Sequence, residues 1–381
     1  MTLYEEEYLW LLRAGLWGVE ETAFPMIAPC YIDWPALLSL AKRQTTLLLV
    51  QDGLEVLLAQ QQAREEEPVV IPPRALLKIQ NLRMQTQRVH RDLNEIILEI
   101  DTMLRAEGIA PILLKGESMA AIYPVPESRN CGDIDLYVAP EAYERAASLL
   151  SSRFEMLPKT TEKHGAFRRG RYNIELHFRT LALQRPWRRH LFDEYSLSVL
   201  SQAKDLIALP FAPGQALVPP VTYNAVFLLG HLYHHFLEGG VGLRQICDWT
   251  LYVDRHFSEW NREELSSLLE RFGLMDAWKA FGCLAVRHLG LSSERMLFYD
   301  ERDSERADRI LSIIFNEGNF GRYGKGDLAQ KKEDSLSIKK SKSFQLGIQR
   351  VRRRFPIFPL DSLLILPKWA VESLSRLLRK R

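Results

Sequence analysis

Two aspartates separated by one apolar residue, Asp133 and Asp135, open the run Asp133-Ile134-Asp135-Leu136. On a strand, alternate side chains leave the same face, so both carboxylates point one way while Ile134 and Leu136 point into a core. Side-by-side carboxylates repel unless a cation sits between them. A hard cation that prefers oxygen ligands and keeps open positions for phosphate suits the pair; magnesium fits best, with manganese as the alternative occupant. Glu175 alternates with Ile174 and Leu176 in Asn173-Ile174-Glu175-Leu176-His177, which places a third acid on the polar face of a strand beside the aspartates. Upstream stands the turn Lys115-Gly116-Glu117-Ser118. Three acids on neighbouring strands, preceded by a Gly-x-Ser turn, suit metal-assisted phosphoryl transfer, in which metal ions bridge a triphosphate and activate an attacking hydroxyl.

These residues need a sheet to hold them. Ile109 to Leu114 reads as a buried strand ending at Lys115-Gly116, and Ser118 to Tyr123 as a short helix. Asp133 to Val138 is a second strand, after which Pro140 opens a helix to about Ser151. Arg153 to Leu157, Gly165 to Arg169 and Tyr172 to Phe178 follow as strands, the last two a hairpin about Gly170. Helices are expected on both sides. Before the strands they cover residues near Leu9 to Trp17, Trp34 to Lys42, Leu47 to Ala63 and Ala75 to Glu107; after them, Val221 to Leu237, Leu243 to Phe257, Arg262 to Phe272, Ala277 to Leu289 and Asp300 to Asn316. Gly318 to Ser343, rich in Gly, Lys, Asp and Ser, reads as a mobile loop. The basic run Arg350 to Arg354 reads as a solvated face, and an amphipathic helix from Lys368 to Lys380 closes the chain. The fold class is α+β. A helical region spans 1–107, a small mixed-sheet core 108–180, a second helical region 181–317, and a loop with a basic tail 318–381.

The motifs KGES, YPVPESR, GDIDLYV, the IELH strand and the later His-rich helix resemble the polymerase-β-type nucleotidyltransferase superfamily, and within it the bacterial group called nucleotidyltransferase family 5. The resemblance covers about Ile109 to Asp248. It implies an enzyme that moves a nucleoside monophosphate from a nucleoside triphosphate to an unidentified acceptor; the alternative is a non-catalytic nucleotide-binding or adaptor protein that keeps the fold. Asp133 and Asp135 would bind the catalytic magnesium, and Glu175 would assist the metal or deprotonate the acceptor hydroxyl. Gly116 and Ser118 would hold the triphosphate, with Lys115 and Arg129 as phosphate contacts. The superfamily's paired-glycine turn is here Lys115-Gly116, with Glu117 between Gly116 and Ser118.

Other readings of these residues stay open. Lys115 suits a solvated strand end as well as a phosphate contact, and Arg129 suits a pair with a neighbouring acid. His177 shares the face of Glu175 and either reaches the site or lies at the surface. His231 and His235 share a helix face, which suits a structural or substrate-lining helix, or metal ligation; position 232 is Leu, so a zincin helix is excluded. Arg244 and Asp248, four apart, are an ordinary helix pair or face the acceptor cleft.

Composition narrows the partners. The 381 residues carry 50 Lys and Arg against 48 Asp and Glu, a net charge of +2, which argues against long nucleic acid as the acceptor. Cys30, Cys131, Cys247 and Cys283 form no CxxC pair and read as reduced thiols of a cytoplasmic protein. The acidic start, MTLYEEEYLWLL, is unlike a signal peptide, and no apolar run approaches the roughly 20 residues of a membrane span. A protein partner remains compatible with the basic tail.

Overall fold

The computed structural model describes residues 1–19, 24–25, 32–158, 164–323, 329 and 336–365. The helix expected at Lys368 to Lys380, most of the expected loop between 324 and 335, and Cys30 lie outside the described residues. Four helices come first: α1 (Leu3–Trp17), α2 (Trp34–Gln44), α3 (Leu47–Ala63) and the 34-residue α4 (Pro73–Ala106). The sheet segment holds β1 (Ile112–Leu113), α5 (Glu117–Ala120), β2 (Ile134–Tyr137), α6 (Tyr143–Ser151), β3 (Glu155–Met156), β4 (His164–Arg169) and β5 (Tyr172–His177). Then come α7 (Pro186–Leu200), a hairpin of β6 (Asp205–Ala208) and β7 (Gln215–Val218), α8 (Val221–Glu238), α9 (Leu243–Arg255), α10 (Arg262–Phe272), α11 (Met275–Leu289), α12 (Ser304–Glu317), α13 (Leu336–Arg354) and α14 (Pro359–Leu363). The fold is α+β, mostly helical, with one five-stranded mixed sheet and one two-stranded hairpin.

The strand order is β1-β2-β5-β4-β3. Only β2 and β5 run parallel; the other pairs are antiparallel. Ile134, Leu136, Ile174 and Leu176 are at most 2% exposed and pack with Leu93, Ile96, Ile97 and Ile100 of α4 and Leu150 of α6. The apolar stripe of α4 therefore seals one face of the sheet and sends the alternate polar residues to the other. A second, larger core joins Tyr8, Trp10 and Leu11 of α1 to Trp249 of α9 and Trp278 and Phe281 of α11. The helices before and after the sheet thus share one interior. Within it α1 and α3 touch backbone to backbone, because a Cβ added at Gly53 would lie 1.9 Å from the Leu11 carbonyl oxygen.

Several elements differ from the sequence reading, among them α7 and α14, for which no helix was expected. Residues 336–343, expected in a loop, form the first turns of α13; a sequence of Lys and Ser with few apolar residues hid the helix. The basic run on that helix is not simply a solvated face. Arg354 is fully buried, with Nη1 3.2 Å from Glu317 Oε1 and its guanidinium 5.1 Å from the Phe236 ring centroid. The β6–β7 hairpin was missed because its strands are only four residues long.

Candidate functional site

The β2–β5 register sets Asp135 directly beside Glu175 and Tyr137 beside His177. Two residues before Asp135, Asp133 sits at the strand's entry, where its Oδ1 accepts a hydrogen bond from Asn173 Nδ2 at 3.2 Å. Because α4 takes the apolar alternates, the three acids expected from sequence share the opposite face. On the next strand, β4 brings His164 opposite His177 and Ala166 opposite Glu175.

Asp135 is 1% exposed, and both its oxygens have cationic or polar partners. Lys115 Nζ is 2.6 Å from Oδ2, and His177 Nε2 is 3.0 Å from Oδ1. Burial alone would raise this carboxyl, but the Lys115 ammonium and the His177 hydrogen bond outweigh it and hold Asp135 well below the usual carboxylate range. Asp133 moves the other way. Lost solvation raises it first, and the adjacent charges of Asp135 and Glu175 raise it further. Burial also acts to raise Glu175, but the His177 imidazole 3.4 Å away and the nearby His164 and Lys115 bring it below its ordinary value.

The KGES turn packs against this edge. Gly116 has φ +78°, a backbone conformation that favours glycine, and a Cβ there would meet the Asp133 carbonyl oxygen at 3.3 Å. The extra residue, Glu117, is 2% exposed and faces α4. Its Oε2 lies 2.8 Å from His90 Nδ1 and accepts from Asn94 Nδ2 at 2.6 Å. Glu117 therefore anchors the turn instead of facing solvent. Ser118, expected to hold phosphate, is buried, and its hydroxyl has no hydrogen-bond partner among the described residues.

Arg129 does not lie open to solvent as a free phosphate contact. It is 4% exposed and forms a bidentate pair with Asp248 of α9, Nε to Oδ1 at 2.8 Å and Nη2 to Oδ2 at 2.9 Å. The Tyr123 hydroxyl donates to the same Asp248 Oδ1 at 2.7 Å. One helical turn away, Arg244 Nη1 donates to the Asn130 carbonyl at 2.7 Å. The two residues considered for acceptor lining on α9 thus clasp the 123–132 segment that leads into Asp133. His231 and His235 lie on α8 with ring centroids 4.5 Å apart, and His235 stands edge-on to Phe320.

His164 was missed by the sequence reading. The signal was present: in a hairpin with Gly170-Arg171 at its tip, counting back from Tyr172 pairs His177 with His164.

The chain was compared with known families, curated proteins and solved structures. A family model described as an uncharacterised nucleotidyltransferase matches residues 31–290, which is 260 of the 381 residues. Neither the curated proteins nor the solved structures gave a match.

Proposed function

We propose a function for a chain that belongs to the uncharacterised nucleotidyltransferase family: it transfers a nucleoside monophosphate from a nucleoside triphosphate to an acceptor hydroxyl and releases pyrophosphate. The observation that carries this reading is Asp135 in register with Glu175, with Asp133 two residues earlier on the same strand edge. The acceptor oxygen attacks the α-phosphorus as the α-phosphorus–oxygen bond to the departing pyrophosphate breaks. Glu175, the most accessible acid that also touches His177, takes the acceptor's proton.

The donor set suits a hard divalent cation, since Asp133 is raised in part by charges that a cation would neutralise. Asp133 and Asp135 would hold magnesium, which when bound offsets the triphosphate charge and makes the acceptor hydroxyl more acidic. The Lys115 side chain is 23% exposed, so its ammonium can exchange Asp135 for an anionic phosphate. The Gly116 turn brings backbone close to the same edge, and the unpartnered Ser118 hydroxyl is a donor available to phosphate on a small rearrangement.

A second reading, a nucleotide-binding or adaptor protein without catalysis, is favoured by one observation: both Asp135 oxygens are already engaged, by Lys115 and His177. Incubating the protein with each labelled triphosphate, magnesium and cell extract separates the two. The transferase reading expects pyrophosphate release and a nucleotidylated product. Thermal stabilisation by a triphosphate with no product supports the binder.

A further inference from the structure

Two imidazoles converge on the Glu175 carboxylate. His164 Nε2 lies 3.6 Å from Oε1, and His177 Nε2 lies 3.4 Å from Oε2. The two rings stand 4.7 Å apart at 56°, and their strands pair them directly across β4 and β5. One ligand atom from each of the three residues lies within 4.8 Å of the others. Asp135 Oδ1 adjoins the group at 3.0 Å from His177 Nε2, a hydrogen bond that this nitrogen gives up when it binds an ion.

The spacing is informative. Hydrogen bonds from an imidazole to a carboxylate fall near 2.7–3.2 Å, and both contacts to Glu175 are longer. Two donors bound about 2.0–2.1 Å from one tetrahedral ion stand roughly 3.3–3.4 Å apart. Two of the three edges, at 3.4 and 3.6 Å, sit close to that length, and the third, between the imidazoles, lies within 4.8 Å and closes on an ion. The chemistry agrees, because neutral imidazole nitrogens suit borderline cations of the zinc class and give little to magnesium. His177 is 7% exposed, so a ligand bound there is largely withdrawn from water.

We propose that His164, His177 and Glu175 form a cation site of their own that takes a zinc-class divalent ion, beside and distinct from the position between Asp133 and Asp135. The site shares Glu175 with the proposed transfer reaction but stands on its own geometry. A zinc-class ion here fixes the Glu175 carboxylate and ties β4 to β5 at their open end.

Cobalt(II) is the probe, added to the full chain after chelator treatment, with visible d–d absorption as the readout and zinc competition to follow. One equivalent should bind with the intense bands of a tetrahedral site that contains nitrogen donors, and a large excess of magnesium should not displace it. His164→Gln, at a half-buried position, should lower the affinity about ten-fold or more. His190→Gln, at a side chain 76% exposed, and His231→Gln on α8 should leave it unchanged. His177→Gln should abolish binding, and its circular dichroism must match the parent for that result to count. No cobalt binding, ready displacement by magnesium, or unchanged affinity in His164→Gln would overturn the site. Cobalt binding without nucleotidyl transfer would leave this site standing and remove the proposed reaction; transfer without cobalt binding would do the reverse.

Discussion

Asp248 sits 119 residues from Arg129 and holds the Nε–Nη2 edge of its guanidinium, while the Tyr123 hydroxyl shares one carboxylate oxygen. Asp248→Ala would leave a guanidinium that is 4% exposed without its counter-charge and the Tyr123 hydroxyl without its acceptor. Breaking one partner of a buried pair costs about 3–5 kcal/mol, because the remaining charge stays desolvated. The double replacement Arg129→Met with Asp248→Leu removes both charges together, and such exchanges are near neutral. Urea unfolding followed by tryptophan fluorescence should therefore place the double variant about 1–3 kcal/mol below the parent, the cost of the orphaned Tyr123 hydroxyl, and still above Asp248→Ala. Transfer activity gives the second readout. If Arg129 acts by positioning the 123–132 segment, Arg129→Met should lose stability in step with activity. If Asp248→Ala unfolds within about 0.5 kcal/mol of the parent, or if Arg129→Met weakens triphosphate binding at full stability, the pair is not structural and Arg129 contacts phosphate directly.

Three further outcomes follow from particular positions. Gly116→Ala forces a side chain into φ +78° and against the Asp133 carbonyl; it should cost about 1–3 kcal/mol and lower transfer at least about ten-fold, measured by thermal melt and initial rate. Gly53→Ala drives a methyl group into the Leu11 carbonyl oxygen, and a loss of about 1–3 kcal/mol or more should appear in the melt. Glu7 is 1% exposed, and burial followed by the charge of Asp33 pushes its carboxyl from 4.5 to about 7. Between those values the folded chain keeps a proton that the unfolded chain has released, so Glu7 makes stability fall as pH rises through that window. Glu7→Gln should thus raise the melting temperature at pH 8, by the equivalent of at most about 3 kcal/mol, and leave it nearly unchanged at pH 4.

The sheet and its acids were legible because two periods act at once. Ile134, Leu136, Ile174 and Leu176 alternate with Asp133, Asp135, Glu175 and His177, so burying the first set on α4 fixes where the second set points. The long apolar spacing of α4 announced the surface that does the burying. What joined those strands to the rest of the chain was not legible. The Arg129–Asp248 pair, the packing of α1 on α11 and the burial of Arg354 against Glu317 all link residues far apart in sequence, and no local period encodes them. The role of Glu117 was hidden for the same reason: its partners, His90 and Asn94, lie on a helix that ends before the turn begins.

In the proposed site Asp133 and Asp135 receive a divalent cation that Lys115 yields to. A crystal grown with manganese and a non-hydrolysable triphosphate tests it directly. An anomalous peak bonded to both aspartates, with the Lys115 ammonium moved from Asp135 to phosphate, is the expected result. Lys115 still on Asp135, with no anomalous peak at either aspartate, would contradict it.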